Sequence, residues 1–254
     1  MAGLVPAIRV FAIQTQKLRT APRPMNRDPH QPRAFFGRRK GHKLRPHHAR
    51  LIETLLPRLT IDLSRLAPGD LAALFPVPVA DIQLEIGFGG GEFMIAQAQA
   101  HPQRGFIGVE PFVNGMAKAL AAIVKHELQN VRLHFDDAAD LIAWLPQNSL
   151  ARIDLIHPDP WPKRRHWKRR FVQDAMVERL ARILRPGGEF RFVTDIADYA
   201  AWTLQRLARS PDFEWTAQCA DDWCKPWSDF VQTRYHAKAA REERASCFLI
   251  FRRI

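Results

Sequence analysis

The segment that most restricts the fold is a run of strand character that ends in glycines and passes straight into a helix. Residues 82–87 are β-rich, the loop reads Glu85-Ile86-Gly87-Phe88-Gly89-Gly90-Gly91-Glu92, and a helical pattern follows from Glu92 to Ala100. Glycines at such a junction allow a tight turn and bring backbone close to a ligand. Downstream, β-rich runs alternate with helical stretches. The spacing predicts further strands at 105–110, 131–135, 153–157, 189–194, 213–217 and 247–252, and helices at 113–128, 138–144, 170–184 and 197–208. This alternation specifies an α/β chain: a mostly parallel seven-stranded sheet with helices on both faces. In such sheets ligands bind beyond the carboxyl ends of the strands, where the strand order reverses.

Charge in the loop narrows the ligand. A dinucleotide-binding turn reads G-x-G-x-x-G, and here Glu92 stands where its last glycine belongs. A carboxylate at that helix start repels a pyrophosphate. S-adenosylmethionine has no phosphate and carries a sulfonium and an amino group, so an acidic loop suits it. Glu85, Gly87 and Gly89 are the expected cofactor contacts. Glu110 closes the second strand, where a carboxylate commonly accepts from ribose hydroxyls. Asp137 follows the third strand and is placed to accept from the adenine amino group. The expected fold is a Rossmann-like class I S-adenosylmethionine-dependent methyltransferase fold.

The net charge of +12 is uneven: residues 1–50 hold twelve Lys and Arg against one acid, Asp28. A basic arm on a near-neutral body suits phosphate backbones, and contact is expected from part of residues 33–50. The expected organisation is a basic tail over 1–34 and a methyltransferase domain over 35–254, opened by a helical extension at 47–59. Pro68-Gly69, Pro76 and Pro78 read as linker. No run reaches the roughly 20 apolar residues of a membrane span. The N-terminus lacks a secretory pattern, so a cytoplasmic protein is expected. Cys219, Cys224 and Cys247 complete no metal site and read as thiols in a reducing compartment.

After the fourth strand stands His157-Pro158-Asp159-Pro160-Trp161-Pro162-Lys163-Arg164-Arg165-His166-Trp167-Lys168-Arg169-Arg170. Asp159 sits at a strand end between two prolines that restrict its backbone. It suits a catalytic carboxylate, either recognising a base edge or stabilising charge beside the cofactor. Six cations in eight residues next to it suit RNA phosphates. With Phe106-Ile107-Gly108-Val109-Glu110-Pro111, Thr194-Asp195 and Thr233-Arg234-Tyr235, this segment resembles the bacterial tRNA (guanine-N7-)-methyltransferase family from about Phe35 to the C-terminus. The resemblance implies methyl transfer to the variable-loop guanine at tRNA position 46. It implies RNA contact by Arg165, His166, Trp167, Lys168, Arg169 and Arg170, and substrate roles for Lys163, Asp195, Thr233, Arg234, Tyr235 and the residue at 236.

At that last position the chain departs from the family, which typically has Glu where this sequence has His236. A neutral imidazole accepts through one nitrogen only and becomes a donor when charged. The contact made there is therefore open. Competing readings are a methyltransferase acting on rRNA or protein, and a non-catalytic RNA-binding module of the same fold. The expected partner is tRNA, with no membrane, no obligatory protein partner, and a monomeric or homodimeric state.

Overall fold

The structure is a computed structural model and describes residues 33–254. The basic-tail expectation for residues 1–32 lies outside the described residues; Ala34, placed in that tail, is docked on the domain through its N–H to Asp137. Seven strands form one sheet: β1 (Asp81–Ile86), β2 (Arg104–Val109), β3 (Val131–His134), β4 (Leu150–Ile156), β5 (Leu184–Thr194), β6 (Phe213–Trp215) and β7 (Cys247–Arg253), in the order β3-β2-β1-β4-β5-β7-β6. The first five pair in parallel, and β7 runs antiparallel to β5 and β6. The order reverses between β1 and β4. That switch point leaves a crevice at the strands' carboxyl ends.

The main helices are α1 (Pro46–Thr54), α2 (Leu56–Leu59), α3 (Glu92–Ala100), α4 (Val113–Lys125), α5 (Ala138–Trp144), α6 (Asp174–Ile183), α7 (Ala197–Leu207), α8 (Asp221–Cys224) and α9 (Arg234–Arg241). Alternation along the strands divides the core. Leu84, Ile107, Ile153 and Phe192 face α5, α6 and α7 on one side, whereas Phe106, Val131 and Leu133 join α1 to α4 on the other. No described helix is long and apolar enough to cross a membrane.

Local departures from the sequence expectation have physical causes. The helix expected over 47–59 breaks at Leu55, because Pro57 cannot donate and fits only a new helix start. The stretch read as linker carries a 3-10 turn at Leu71–Leu74 whose Leu71 is buried with Phe75 in the core. The helix expected from residue 170 starts at Asp174, since Arg170 is drawn inward before it. β5 starts at Leu184, ahead of the expected Glu189, and its pairing with β4 shifts register between Leu150 and Arg152.

One sheet face carries buried charge. Arg152 donates to Asp154 (2.9 Å), Gln97 (3.0 Å) and Asp229 (3.1 Å), and Arg191 donates to the other Asp229 oxygen (3.0 Å). Polar residues alternating along a strand ordinarily face water, but here α3 and the turn around Asp229 cover them. The network ties that turn to the sheet. Trp227 and Phe230 then pack on Phe248, which supports the approach to α9.

Candidate active site

A cavity of about 330 Å³ opens at the switch point. Its floor comes from Ile86, Gly87 and Gly89 after β1, its sides from Glu110 after β2 and Asp137 after β3, and its far wall from His157 and Asp159 after β4. Gly89 has φ 58°, a left-handed conformation that favours glycine. A Cβ on Gly115 of α4 would stand 2.2 Å from the Gly89 carbonyl oxygen, so glycine there lets the loop seat on the helix. The Gly89 N–H donates to Glu110 Oε2 at 2.7 Å, and the Phe112 N–H donates to Oε1 at 2.8 Å. Burial pushes the Glu110 carboxyl up to about 7, against the pull of those two amides.

The described N-terminal residues cross the cavity as a strap, and Ala34 to Arg38 all line it. The N–H groups of Ala34 and Phe35 donate to Asp137 at 3.1 and 3.2 Å, and Asp137 also caps α5 through the Ala139 N–H. Asp137 therefore reaches the cavity with both oxygens already accepting from backbone amides. Arg39 bridges Asp136 at 2.7 Å, and Asn114 holds Gly41 and His42 by paired backbone contacts. Gly37 passes so close to Asp159 that a Cβ there would stand 3.2 Å from its Oδ2. These lining residues escaped the sequence reading. The signal was Phe35-Phe36-Gly37, an aromatic pair and a glycine set in a basic stretch.

Asp159 lies at the cavity mouth, and no described side chain or amide bonds its carboxylate. The surrounding walls desolvate it and raise its pKa. A carboxylate without a partner beside a buried second carboxylate fits a cationic cofactor. The acidic helix start fits it as well: a Cβ on Gly90 would stand 2.6 Å from Glu92 Oε1, so that carboxylate folds over the loop. Glu85 is not among the lining residues. It is buried beneath the loop, and desolvation together with Asp154 and Glu92 raises its pKa well above the usual carboxylate range.

The structure divides the expected substrate residues. Arg234 and Tyr235 line the cavity, with the Arg234 guanidinium 4.8 Å from the Tyr235 ring centre. Thr233 does not line it; its hydroxyl accepts the His236 N–H and caps α9, which aims those two side chains. Asp195 also lies outside the lining and is bonded to Arg244 (2.6 Å) and His157 (3.2 Å). His236 is packed among His157, Phe230 and Phe248, not turned into the cavity. Lys163 is exposed beyond the mouth.

One expected RNA contact is corrected. Arg170 is 1% exposed: it donates to the Pro160 carbonyl, pairs with Asp198, and lies against the rings of Trp167, Tyr199 and Trp202. Buried in this way, its guanidinium is closed to phosphate. Trp167 beside it is half-buried, edge-on to Trp202, and its indole N–H donates to the Pro162 carbonyl. Arg165 and Lys168 remain exposed, while Arg169 stacks on Trp161 at 4.9 Å and reaches Phe36 of the strap at 5.9 Å.

Comparison with known proteins identifies the chain's relatives. A family model described as "Putative methyltransferase" matches residues 80–249. A tRNA (guanine-N(7)-)-methyltransferase of Nitrobacter hamburgensis is 60% identical over 242 residues, covering 89% of this chain and 95% of the relative. One of Rhodopseudomonas palustris (strain BisB5) is 62% identical over 230 residues, 91% of this chain and 90% of the relative. The solved structure of the 16S rRNA methyltransferase KamB superimposes with a TM-score of 0.51 at 15% identity, over 69% of this chain and 89% of that one. That likeness shows the fold alone. At this identity and coverage, the chain belongs to the tRNA (guanine-N(7)-)-methyltransferase family.

Proposed function

We propose that the protein transfers a methyl group from S-adenosylmethionine to N7 of a guanine in tRNA, at position 46 of the variable loop. The observation that carries this reading is the Asp159 carboxylate, without a hydrogen-bond partner among the described residues and set between the Glu110 side of the cavity and a basic rim. Bound there, the cofactor supplies an electrophilic methyl on a sulfonium. Guanine N7 has a lone pair and no proton, so no residue must act as general base. The protein's task is alignment and exclusion of water. Positive charge moves onto the purine during transfer, and Asp159 is fixed where a carboxylate favours that charge. Gly87, Gly89 and Glu110 hold the cofactor's side of the cavity, with Asp137 fixing the strap above it.

Exposed cations flank the mouth on two sides. Arg38, Lys40 and Lys43 lie on or just after the strap, and Arg165 and Lys168 lie on the 3-10 turn Arg164–Arg169. Phosphate contacts from both flanks position a duplex or stem without reading its sequence. The test is incubation with unmodified tRNA and labelled cofactor, followed by borohydride–aniline mapping of the modified base. Chain scission at guanine 46 is the expected result. Label in rRNA or protein with none in tRNA would overturn the reading.

A further inference from the structure

Part of the cavity wall belongs to a helix with little hold of its own. α9 buries only Ala239, yet its first two side chains, Arg234 and Tyr235, line the cavity. A Cβ on Gly89 would stand 3.5 Å from Tyr235 Cε2, so the ring lies against the cofactor loop. Burial of one alanine contributes too little to hold a helix there. Residues 225–233, which lead into it, form no helix or strand, so their placement comes from side chains. Asp229 supplies it. One carboxylate oxygen accepts from Arg152 Nη1 at 3.1 Å and the other from Arg191 Nη1 at 3.0 Å, and its carbonyl accepts from Gln97 Nε2 at 2.7 Å. The connection is thus bonded to β4, β5 and α3 at once. Neither cation needs Asp229 for its own charge: Arg152 keeps Asp154 at 2.9 Å and Arg191 keeps Glu189 at 2.8 Å. Partial burial pushes the Asp229 carboxyl up, but the Arg191 and Arg152 guanidiniums hold it below the usual range, so it docks ionised. Phe230 carries the placement onward, its ring 5.0 Å from Phe248 on β7 and 5.3 Å from His236 in the first turn of α9.

We infer that Asp229 is a positioning residue for methyl transfer: it docks the α8–α9 connection on the sheet and so sets Arg234 and Tyr235 against the target base. This rests on the tRNA reading above. Asp229 lies outside the cavity lining and acts through those two side chains. Other ties to α9, Ser246 to His236 and Arg244 to Asp195, come from the segment after it, so the side that leads into its first turn hangs on Asp229. A misplacement of about 1 Å at the reacting groups, caused by a change far from them, can cost about a hundredfold in rate. The exposed rim cations Arg38, Arg165 and Lys168 do not depend on this anchor and still hold RNA by its phosphates. The cofactor's proposed seat, Gly87, Gly89 and Glu110, is built from other elements. Loosening the anchor therefore lowers kcat and leaves KM near wild type, the reverse of losing a rim cation.

The experiment compares wild type with Asp229→Ala, Asp229→Glu, Arg234→Ala/Tyr235→Ala and the triple variant that adds Asp229→Ala to that pair. It measures steady-state kinetics on a tRNA transcript, single-turnover rates for the slowest variants, calorimetric affinity and stoichiometry for S-adenosylmethionine, thermal midpoint and amide hydrogen exchange. Asp229→Ala should lower kcat about ten- to hundredfold, with KM, cofactor affinity and stoichiometry near wild type. Exchange should quicken across residues 225–240 and stay slow in β4 and β5. Glu keeps the carboxylate, and at 31% exposure the site is open enough to take one methylene, so Asp229→Glu should restore most of the loss. The triple variant should be no slower than the Arg234→Ala/Tyr235→Ala pair, because the anchor then has nothing to place. If Asp229→Ala shows no thermal transition, Asp229→Asn, which keeps the volume and gives up the charge, replaces it in every comparison. A wild-type kcat, a loss confined to KM, a parallel loss of cofactor affinity or stoichiometry, or exchange quickened through the sheet would overturn the inference. So would a Glu variant as poor as Ala, or losses that multiply in the triple variant. Failure of the wild-type protein to methylate the transcript would instead overturn the function itself.

Discussion

At the scale of single residues, two of the three carboxylates that line the cavity, Asp159 and Glu110, separate by environment. Asp159 has no hydrogen-bond partner among the described residues and stands at the mouth, so removing it should affect the reacting charge more than the cofactor's seat. Asp159→Ala is expected to lower kcat by about 10²–10³-fold while cofactor affinity, measured by calorimetry, stays close to wild type; a fully active variant refutes the role. Glu110 is buried, and burial raises its pKa to about 7. The free protein therefore holds a proton there below neutrality, whereas a cationic cofactor with ribose hydroxyls needs the carboxylate. Binding must expel that proton, so affinity should weaken as pH falls through about 7, by up to about tenfold per unit, and level off above it. Glu110→Gln should bind weakly and lack this component. The cofactor's own amino group titrates in both proteins, so the difference between their profiles isolates Glu110. The placement of Glu110 and Asp159 at the cavity was legible in the sequence, because Glu110 directly follows β2 and Asp159 stands in the proline-bound turn just after β4. The occupied state of Asp137 was not legible, because its partners are backbone amides from a strap roughly a hundred residues away in sequence.

At the scale of elements, periodicity located every strand of the sheet and five of the seven helices between β1 and β7, because each of those alternates or repeats against the core; the short α8 and the polar α9, which bury little, were missed. What it missed were elements set by local chemistry: the break at Pro57, the cap of Thr233 on α9, and the 3-10 turn that carries the basic run. That turn shows why composition misassigns side chains. A short 3-10 turn sends successive residues in different directions, so Arg165 and Lys168 point outward whereas Arg170, just past its end, is drawn under Tyr199 and Trp202. The two kinds of cation should respond oppositely to substitution. Arg170→Met keeps bulk and loses the bond to Pro160 and the stacking on three rings, so unfolding by denaturant should show a loss of about 2–4 kcal/mol. Its partner Asp198 is largely exposed and can rehydrate, which limits the penalty. Arg165→Ala and Lys168→Ala should leave the unfolding midpoint in place and weaken tRNA binding. Reversal of that pattern would return Arg170 to the RNA surface.

At the scale of the whole molecule, the charge asymmetry has a geometric form that sequence could not supply. The basic arm and the basic turn are more than a hundred residues apart, yet Arg169 of the turn stacks toward Phe36 of the strap, so both flank one cavity mouth. The pairing follows from topology: the strap crosses the carboxyl ends of the strands, and the turn follows β4 on the same side. Exposed cations on both flanks imply simultaneous phosphate contacts with a rigid, highly charged RNA. The logarithm of the tRNA binding constant should then fall linearly with the logarithm of salt concentration. For about five contacts the slope is on the order of −4, and each of Arg38→Ala, Arg165→Ala and Lys168→Ala should reduce its magnitude by about one. The proposed cofactor contacts, such as Glu110, are enclosed, so cofactor affinity should change little over the same salt range. Variants on the strap and on the turn belong to separate flanks, so their effects on the slope should add. A slope that responds to the turn and ignores Arg38 would confine RNA to one flank, leaving the strap to the cofactor alone.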